Sequence, residues 1–580
     1  MAAARAPGVT KRELLLLVLG ACLVSVVMHW PLILHLGATI PKDLGDPLPQ
    51  AWQLGWGGHA LAHQPLHFFQ SNQFWPLPDT LAFSDALVGY SPTGLIGSGP
   101  HAAVVRYDLV FLFAYAMAFV GAYLLARELG AGPTGALVAG AAFAFAPYRL
   151  EQDGHLQVVS SGGIALALAL AVRAIRLERP WLLLAGWLVA TWQLSLSWSI
   201  GLPFAYLLGL LVVIGGIIWW RRGRPGTDRR VLVAGIVGAL IFVGSAVLLS
   251  RPYERVADSH PQAHRSPATV AAYSGPVWEF LSAPDENLVW GGATAGFRDD
   301  LGPIPEKTLF PGLLTVLLAI VGAGWAGYGR GLRWGLVVAA IGISILAMGF
   351  EEPGGLLYPD RVLYDLLPGW QGIRTPGRLV AFSSLALALL AAGGTERLAA
   401  AARRRGRHNL AASAGALLAL LVAIEGRGLP FDPTDSQAQP TVPPIPPSAA
   451  DVPAPQLHLP AMRAEDNRRY LLWSTDGFPK IVNGRSSTEP VRIARVIERM
   501  RDFPDRGTVR ELRRLGVASV IVHLDRAHGT AQEANGQKPI AGLGIRRYRD
   551  GPLLIYDVRS PSASSAVIAR RSAGARSRDR

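Results

Sequence analysis

The chain has 580 residues, 50% of them hydrophobic and 17% charged, with a formal net charge of +14. A mean hydropathy of +0.29, together with recurring apolar runs of roughly 18 residues or more, excludes a string of soluble domains and describes a polytopic α-helical membrane protein. The positive charge needs no nucleic-acid partner, because the arginines crowd short loops between apolar runs, and a single cysteine, Cys22, excludes an intrachain disulfide.

The apolar runs predict about eleven transmembrane helices, near 13–37, 107–127, 132–147, 157–176, 181–199, 201–220, 231–250, 308–328, 333–350, 378–398 and 409–425. Lys11 and Arg12 precede the first run. No small-x-small cleavage pattern follows it, so an uncleaved first span is expected. Arg5, Lys11 and Arg12 precede that span; Arg127, Arg173, Arg176, Arg179, Arg221, Arg222, Arg330, Arg333, Arg403 and Arg404 fall in alternate connections. Alternation puts all of them on one side, which the positive-inside tendency makes cytoplasmic, with the N-terminus.

The other side receives the outer loops 38–106, 251–307 and 351–377, the turn 148–156 and everything after about 428. Residues 1–427 therefore read as the transmembrane domain. In the first outer loop, "PQAWQLGWGGHALAH" predicts a short helix lying along the membrane interface, with Trp52 and Trp56 one turn apart as anchors. A Pro-rich linker is expected over 428–462 and a small extracytoplasmic α/β domain over 463–558. In that domain "RYLLWST", "VASVIVH" and "PLLIYDV" read as strands, and "VRIARVIERMRDF" and "TVRELRRLG" as helices. The basic stretch 559–580 is small and polar and is expected to be disordered.

Three constellations could carry chemistry, and all are expected on the outer face. Asp43 and Asp46 follow the first span within "PKDLGDPLPQAW"; a plain reading makes them solvated turn formers. Arg149, Glu151, Asp153 and His155 crowd the short turn "PYRLEQDGHLQ", which a simple reversal of the chain would not need. Arg374 and Arg378 stand at the outer end of the tenth span, on the side that arginine usually avoids. There they either snorkel to lipid headgroups or hold a phosphate through charge-assisted hydrogen bonds. Glu279, Asp285, Glu286, Asp299 and Asp300 form a weaker acidic group in the loop 251–307. No HExxH, CxxC, phosphate-binding loop or serine elbow occurs in the sequence.

An acid pair after the first span, many helices and a C-terminal extracytoplasmic domain resemble the GT-C superfamily of membrane glycosyltransferases, which use polyprenyl-phosphate sugars. "FAFAPYRLEQDGHLQ", "PGWQGIRTPGRL" and "YLLWSTDGFPKIVNGRSSTEP" look most like segments of its YfhO-like and uncharacterised bacterial members, over about Leu14 to Val558. The resemblance implies a sugar donor on a polyprenyl phosphate and a glycan, lipid or protein acceptor in the cell envelope. It also implies an inverting displacement with Asp43 or Asp46 as base. Family members carry a D-D, D-E or D-x-D pattern where this chain has D-x-x-D, which leaves open which acid is the base and whether a divalent metal is held. A lipid-linked sugar exposes its reactive bond at the membrane edge, the depth expected for Asp43, Asp46, Arg374 and Arg378, with His155 orienting an acid or contacting phosphate. Two other classes compete. A transporter or flippase would place polar groups near the bilayer midplane, whereas these spans are almost free of charge. A non-catalytic envelope assembly protein would not need carboxylates and arginines gathered on one face.

Overall fold

A computed structural model describes residues 8–559 except 224, 225, 227, 303, 304, 326, 351–358, 407, 430–437, 441, 443, 444 and 446–451. The basic stretch after 559, much of the Pro-rich segment 428–462 and the start of the loop 351–377 lie outside the described residues.

Each expected span contains a helix: Lys11–Met28, Gly99–Glu128, Pro133–Ala144, Gly162–Leu177, Pro180–Leu196, Trp198–Arg221, Arg229–Ser259, Leu313–Gly322, Arg330–Ala347, Val380–Arg404 and His408–Glu425. Among the described residues six helices are long and apolar enough to cross a membrane, and four apolar helices are shorter. The chain is a multi-pass membrane protein. Gly99–Glu128 and Val380–Arg404 are buried at the centre of the bundle. Trp198–Arg221, Arg229–Ser259 and Arg330–Ala347 stand at its rim, exposing apolar side chains such as Leu210, Ile236, Leu240, Leu248 and Val338. Such a surface associates in water but suits acyl chains.

Small residues set the closest helix crossing. A Cβ on Gly322 would come within 1.8 Å of Leu390 O, and one on Gly394 within 2.0 Å of Leu318 O. Backbones this close gain dispersion contacts that larger side chains would prevent.

The face that carries the C-terminal unit is built from segments far apart in sequence. Strands β1 (Thr39–Pro41) and β2 (Ala438–Pro440) pair antiparallel, Ile40 opposite Gln439, so the chain leaving the last helix returns to the root of the first outer loop. A four-stranded sheet follows: β3 (Gln456–Leu459), β4 (Ser519–His523), β5 (Arg546–Asp550) and β6 (Leu553–Asp557), in the order β3-β4-β6-β5 with only β3 and β4 parallel. Helices Ala464–Trp473, Val491–Arg499, Arg506–Arg514 and Ala531–Asn535 belong to the same unit.

Three expectations need correction. "RYLLWST" is not a strand: the helix Ala464–Trp473 covers most of it. Tyr470, Leu471, Leu472 and Trp473 are all buried, and a continuous apolar run does not distinguish a buried helix from a buried strand. Glu465 and Asp466 in its first turn suit a helix N-terminus. The C-terminal unit also begins before 463, since β3 lies within the expected linker; β5, a charged edge strand, had no apolar alternation to announce it. Finally, the helix Pro47–His63 does not float on the interface. Trp52 and Trp56 are 1% and 3% exposed and pack with Leu471, Ile481 and Phe478 of the C-terminal unit. Trp52 Nε1 donates to Asn72 Oδ1 at 3.0 Å.

Overpacking the Gly322–Gly394 crossing is expected to cost on the order of 1–3 kcal/mol or more. Gly394→Leu should lower the melting temperature of detergent-purified protein. Gly209→Leu should leave it unchanged, because a Cβ at that rim-helix position would meet nothing within 4 Å.

Candidate functional site

Asp46 precedes Pro47 at the N-terminus of the helix Pro47–His63, yet its carboxylate does not cap that helix. It faces a cavity of about 1280 Å³ between the bundle and the C-terminal unit. The partial positive charge of the helix terminus favours an anion there. His155 Nε2 lies 3.5 Å from Asp46 Oδ2 and 3.4 Å from Glu306 Oε1. Arg378 closes the series, donating from Nε to Glu306 Oε2 at 3.1 Å and from Nη2 to Glu306 Oε1 at 2.8 Å. Asp46, His155, Glu306 and Arg378 thus form one linked series across four segments of the chain, with an imidazole between two carboxylates.

Gln50, one turn after Asp46, fixes the position of His155. Its Nε2 donates to Gly154 O at 3.2 Å and its Oε1 accepts from Leu156 N at 2.9 Å. Both peptide neighbours of the histidine are therefore held by the helix that carries the aspartate.

Burial would raise the Asp46 carboxyl, but the hydrogen bond and charge of His155, with Arg468 and Arg378, outweigh it and bring it to about 2. Glu306 behaves alike: burial opposes ionisation, and Arg378 and His155 overcome it and hold the carboxyl at about 2. The Asp46 side chain is 51% exposed, opening to the cavity, whereas that of Glu306 is 9% exposed. Asp46 is the accessible anion and Glu306 the buried brace.

Arg374 and Arg265 line the same cavity. The Arg374 guanidinium lies 4.6 Å from the ring centre of Tyr273. Burial, and then the like charge of Arg374, lower the pKa of Arg265. Among the described residues neither is within 4.0 Å of a carboxylate, although Asp85 acts on Arg265 and Arg374 on Glu306 at longer range. Arg378, by contrast, engages its fork with Glu306. The cavity thus holds two arginines whose charge remains open to an anion. Its wall divides in character. Leu202, Tyr206, Ala246, Val247, Leu366 and Leu367 form an apolar side, with Val247 46% and Leu366 73% exposed at the rim of the bundle. Residues 485–489 of the C-terminal unit form part of the polar side.

The other sequence candidates go elsewhere. Asp43 is exposed and accepts from its own loop at Gly45 N, 2.6 Å away; it does not line the cavity. Arg149 is buried, donating to Ser161 Oγ at 3.0 Å and Val159 O at 2.6 Å. Asp153 is buried and accepts from the Tyr115 hydroxyl; burial above all raises its carboxyl to about 7. Glu151 pairs with Lys42 at 3.4 Å, and Lys42 also pairs with Glu286. Burial raises the Glu151 carboxyl against the pull of Lys42. This network lies behind the site and anchors the loop from Lys42 to Asp46. Glu279 is buried and Asp299 and Asp300 are exposed, all outside the cavity lining. Among the described residues no group of three or more His, Cys, Asp or Glu side chains is placed to hold a metal ion.

Sequence reading did not single out Glu306, Arg265, Gln50 or Asp85. Asp85 lines the cavity and accepts from Trp198 N, Ser197 Oγ and Ser199 Oγ at 2.7–2.9 Å. No spacing pattern marks these residues, because each acts through a partner more than fifty positions away or, for Gln50, through the turn it clamps.

No family model matches the sequence, and no curated protein matches it. Solved structures do. The mycobacterial arabinofuranosyltransferase AftD aligns with a TM-score of 0.56 at 15% identity, over 96% of this chain and 40% of that one. The chain thus spans well under half of that protein's length. ArnT from Cupriavidus metallidurans, determined with undecaprenyl phosphate, aligns at 0.47 and 15% identity, over 95% and 99% of the two chains. An oligosaccharyltransferase from Archaeoglobus fulgidus aligns at 0.42 and 14% identity, over 93% and 73%. The AftD likeness shows that this chain shares a fold with that protein.

Because the carboxyls of Asp46 and Glu306 are both held below their unfolded values, the stability they add is present above about pH 4 and lost as pH falls toward about 2. In Arg378→Gln, Glu306 loses its main partner and its carboxyl rises. Thermal melts across pH 3–8 should show the variant losing stability at a higher pH than the parent protein.

Proposed function

We propose that this GT-C-fold chain is a membrane glycosyltransferase that moves a sugar from a polyprenyl-phosphate donor to an envelope acceptor at the outer face of the membrane. The observation that carries the proposal is the single cavity that joins an ionised, accessible Asp46 to Arg265 and Arg374 and reaches the lipid-facing rim. A lipid-linked sugar phosphate needs these three features together. Its chain lies along apolar side chains, its phosphate meets cations, and its anomeric carbon comes near a base.

In this reading the acceptor hydroxyl gives its proton to the Asp46 carboxylate as its oxygen bonds to the anomeric carbon. The bond from that carbon to the phosphate oxygen breaks on the opposite side, and the polyprenyl phosphate leaves carrying the electron pair. Displacement from the far side inverts the anomeric configuration. Arg265 and Arg374 hold the charge that grows on the leaving phosphate. His155, braced by Glu306 and Arg378 and clamped by Gln50, orients Asp46. The D-x-x-D pair divides its work: Asp46 acts on substrate, and Asp43 shapes the loop. The same arrangement favours a cytoplasmic N-terminus with the C-terminal unit outside, since that unit supplies one wall of the cavity.

Asp46→Asn should lower turnover on the order of 10²–10⁴-fold in a reconstituted assay with polyprenyl-phosphate sugars, while Asp43→Asn keeps most activity. Full activity in Asp46→Asn would sink the assignment. Arg374→Gln should raise the donor KM about tenfold, the loss of a charge-assisted contact, measured with acceptor held saturating.

A further inference from the structure

Arg265 is held from the far end of the chain. Its Nη2 donates to Ser487 O at 3.2 Å and to Thr488 Oγ1 at 3.1 Å. Its own backbone is fixed separately: Arg265 N donates to Gln371 O at 2.9 Å, and Arg265 O accepts from the Tyr364 hydroxyl at 2.6 Å. The chain course at Arg265 is thus set by the segment that leads to Arg374, whereas the direction of the guanidinium is set by the C-terminal unit. That direction needs a restraint. Arg374 is a like charge acting on Arg265, and repulsion would swing a flexible side chain away.

The restraining loop is itself pinned on both banks of the cavity. Ser487 N donates to Ser84 Oγ at 2.8 Å and Ser487 Oγ to Phe83 O at 2.9 Å, next to Asp85. Thr488 N donates to Phe83 O at 3.1 Å. On the other bank Gln262 Nε2 donates to Glu489 O at 3.3 Å. Thr488 is 4% exposed, and the loop 485–489 lines the cavity throughout.

We propose that the loop Arg485–Glu489 of the C-terminal unit is a working part of the donor-phosphate site: through Thr488 and Ser487 it holds the Arg265 guanidinium beside Arg374, so that both converge on one phosphate. Thr488 is a positioning residue, since it acts through Arg265. The inference rests on the lipid-phosphate reading given above and adds that grip on the lipid phosphate depends on how the C-terminal unit is docked. The unit then does more than cover the membrane bundle.

The test uses the full-length protein in lipid nanodiscs and bare undecaprenyl phosphate as the probe, with binding and melting temperature measured on the same samples. Thr488→Val should weaken binding about tenfold, the scale of a hydrogen bond to a charged group, with the melting temperature unchanged. Thr488→Ser should restore binding to within about twofold of the parent, because it keeps the hydroxyl. In an Arg265→Gln background Thr488→Val should have no further effect, as expected of two residues acting as one unit. Should Thr488→Val fold poorly, Thr488→Ala carries the same expectations. Unchanged binding in Thr488→Val and Thr488→Ala, or equal weakening with and without Arg265, overturns the proposal and leaves the donor reading standing. Failure of the parent protein to bind undecaprenyl phosphate overturns both.

Discussion

The face of the bundle that carries the C-terminal unit is organised by one run of linked polar side chains, Asp46, His155, Glu306 and Arg378. An acid as buried as Glu306 is tolerable only with a charged partner and good hydrogen bonds. The bidentate Arg378 fork meets that need. It also decides what Arg378 can do, since a guanidinium engaged at Nε and Nη2 has little left to offer a substrate. The series ties together the first outer loop, the turn at 147–157, the loop before 308 and the start of the helix Val380–Arg404. Its accessible end is the carboxylate of Asp46.

That end is positioned by backbone as much as by charge. Asp46 and Gln50 lie one turn apart on one helix, so the aspartate meets the histidine ring while the glutamine grips the peptides on either side of it. The helix is held in turn by its tryptophans. Trp52 and Trp56 are buried under the C-terminal unit, and a Cβ on Gly58 would strike the Gly94 backbone at 1.9 Å. Behind the loop, Lys42 adopts a left-handed backbone conformation with φ of 69° and reaches two carboxylates. A non-glycine residue is conformationally disfavoured there, which its ion pairs offset.

The membrane bundle and the C-terminal unit share the cavity. The bundle supplies the apolar rim, a carboxylate and arginines; the C-terminal unit supplies the loop that completes the polar wall. The return of the chain through β2 to pair with β1 brings the two ends of the transmembrane region to one place. A cavity of about 1280 Å³ exceeds the usual ligand pocket of about 300–1,000 Å³ and has room for more than one small ligand.

The sequence by itself determined the membrane character, the positions of the apolar helices and the gathering of acids and arginines at helix ends, because these follow from local hydropathy and from the cost of burying charge in lipid. It marked Asp46, His155, Arg374 and Arg378 as unusual for the same reason. Only the tertiary structure decided what each does. Asp43 and Asp46 are alike in composition and neighbourhood, and only packing turns one to its own loop and the other to the cavity. Arg374 and Arg378 are equally suited to hold phosphate until Glu306 claims one of them. Arg149, Glu151 and Asp153 look like site residues because they are charged, yet they are taken up by internal partners. Arg265 and Thr488, 223 positions apart, carry no pattern that links them. Hydropathy is a property of neighbours along the chain, whereas an ion pair is a property of neighbours in space, and the second is fixed only when the bundle closes.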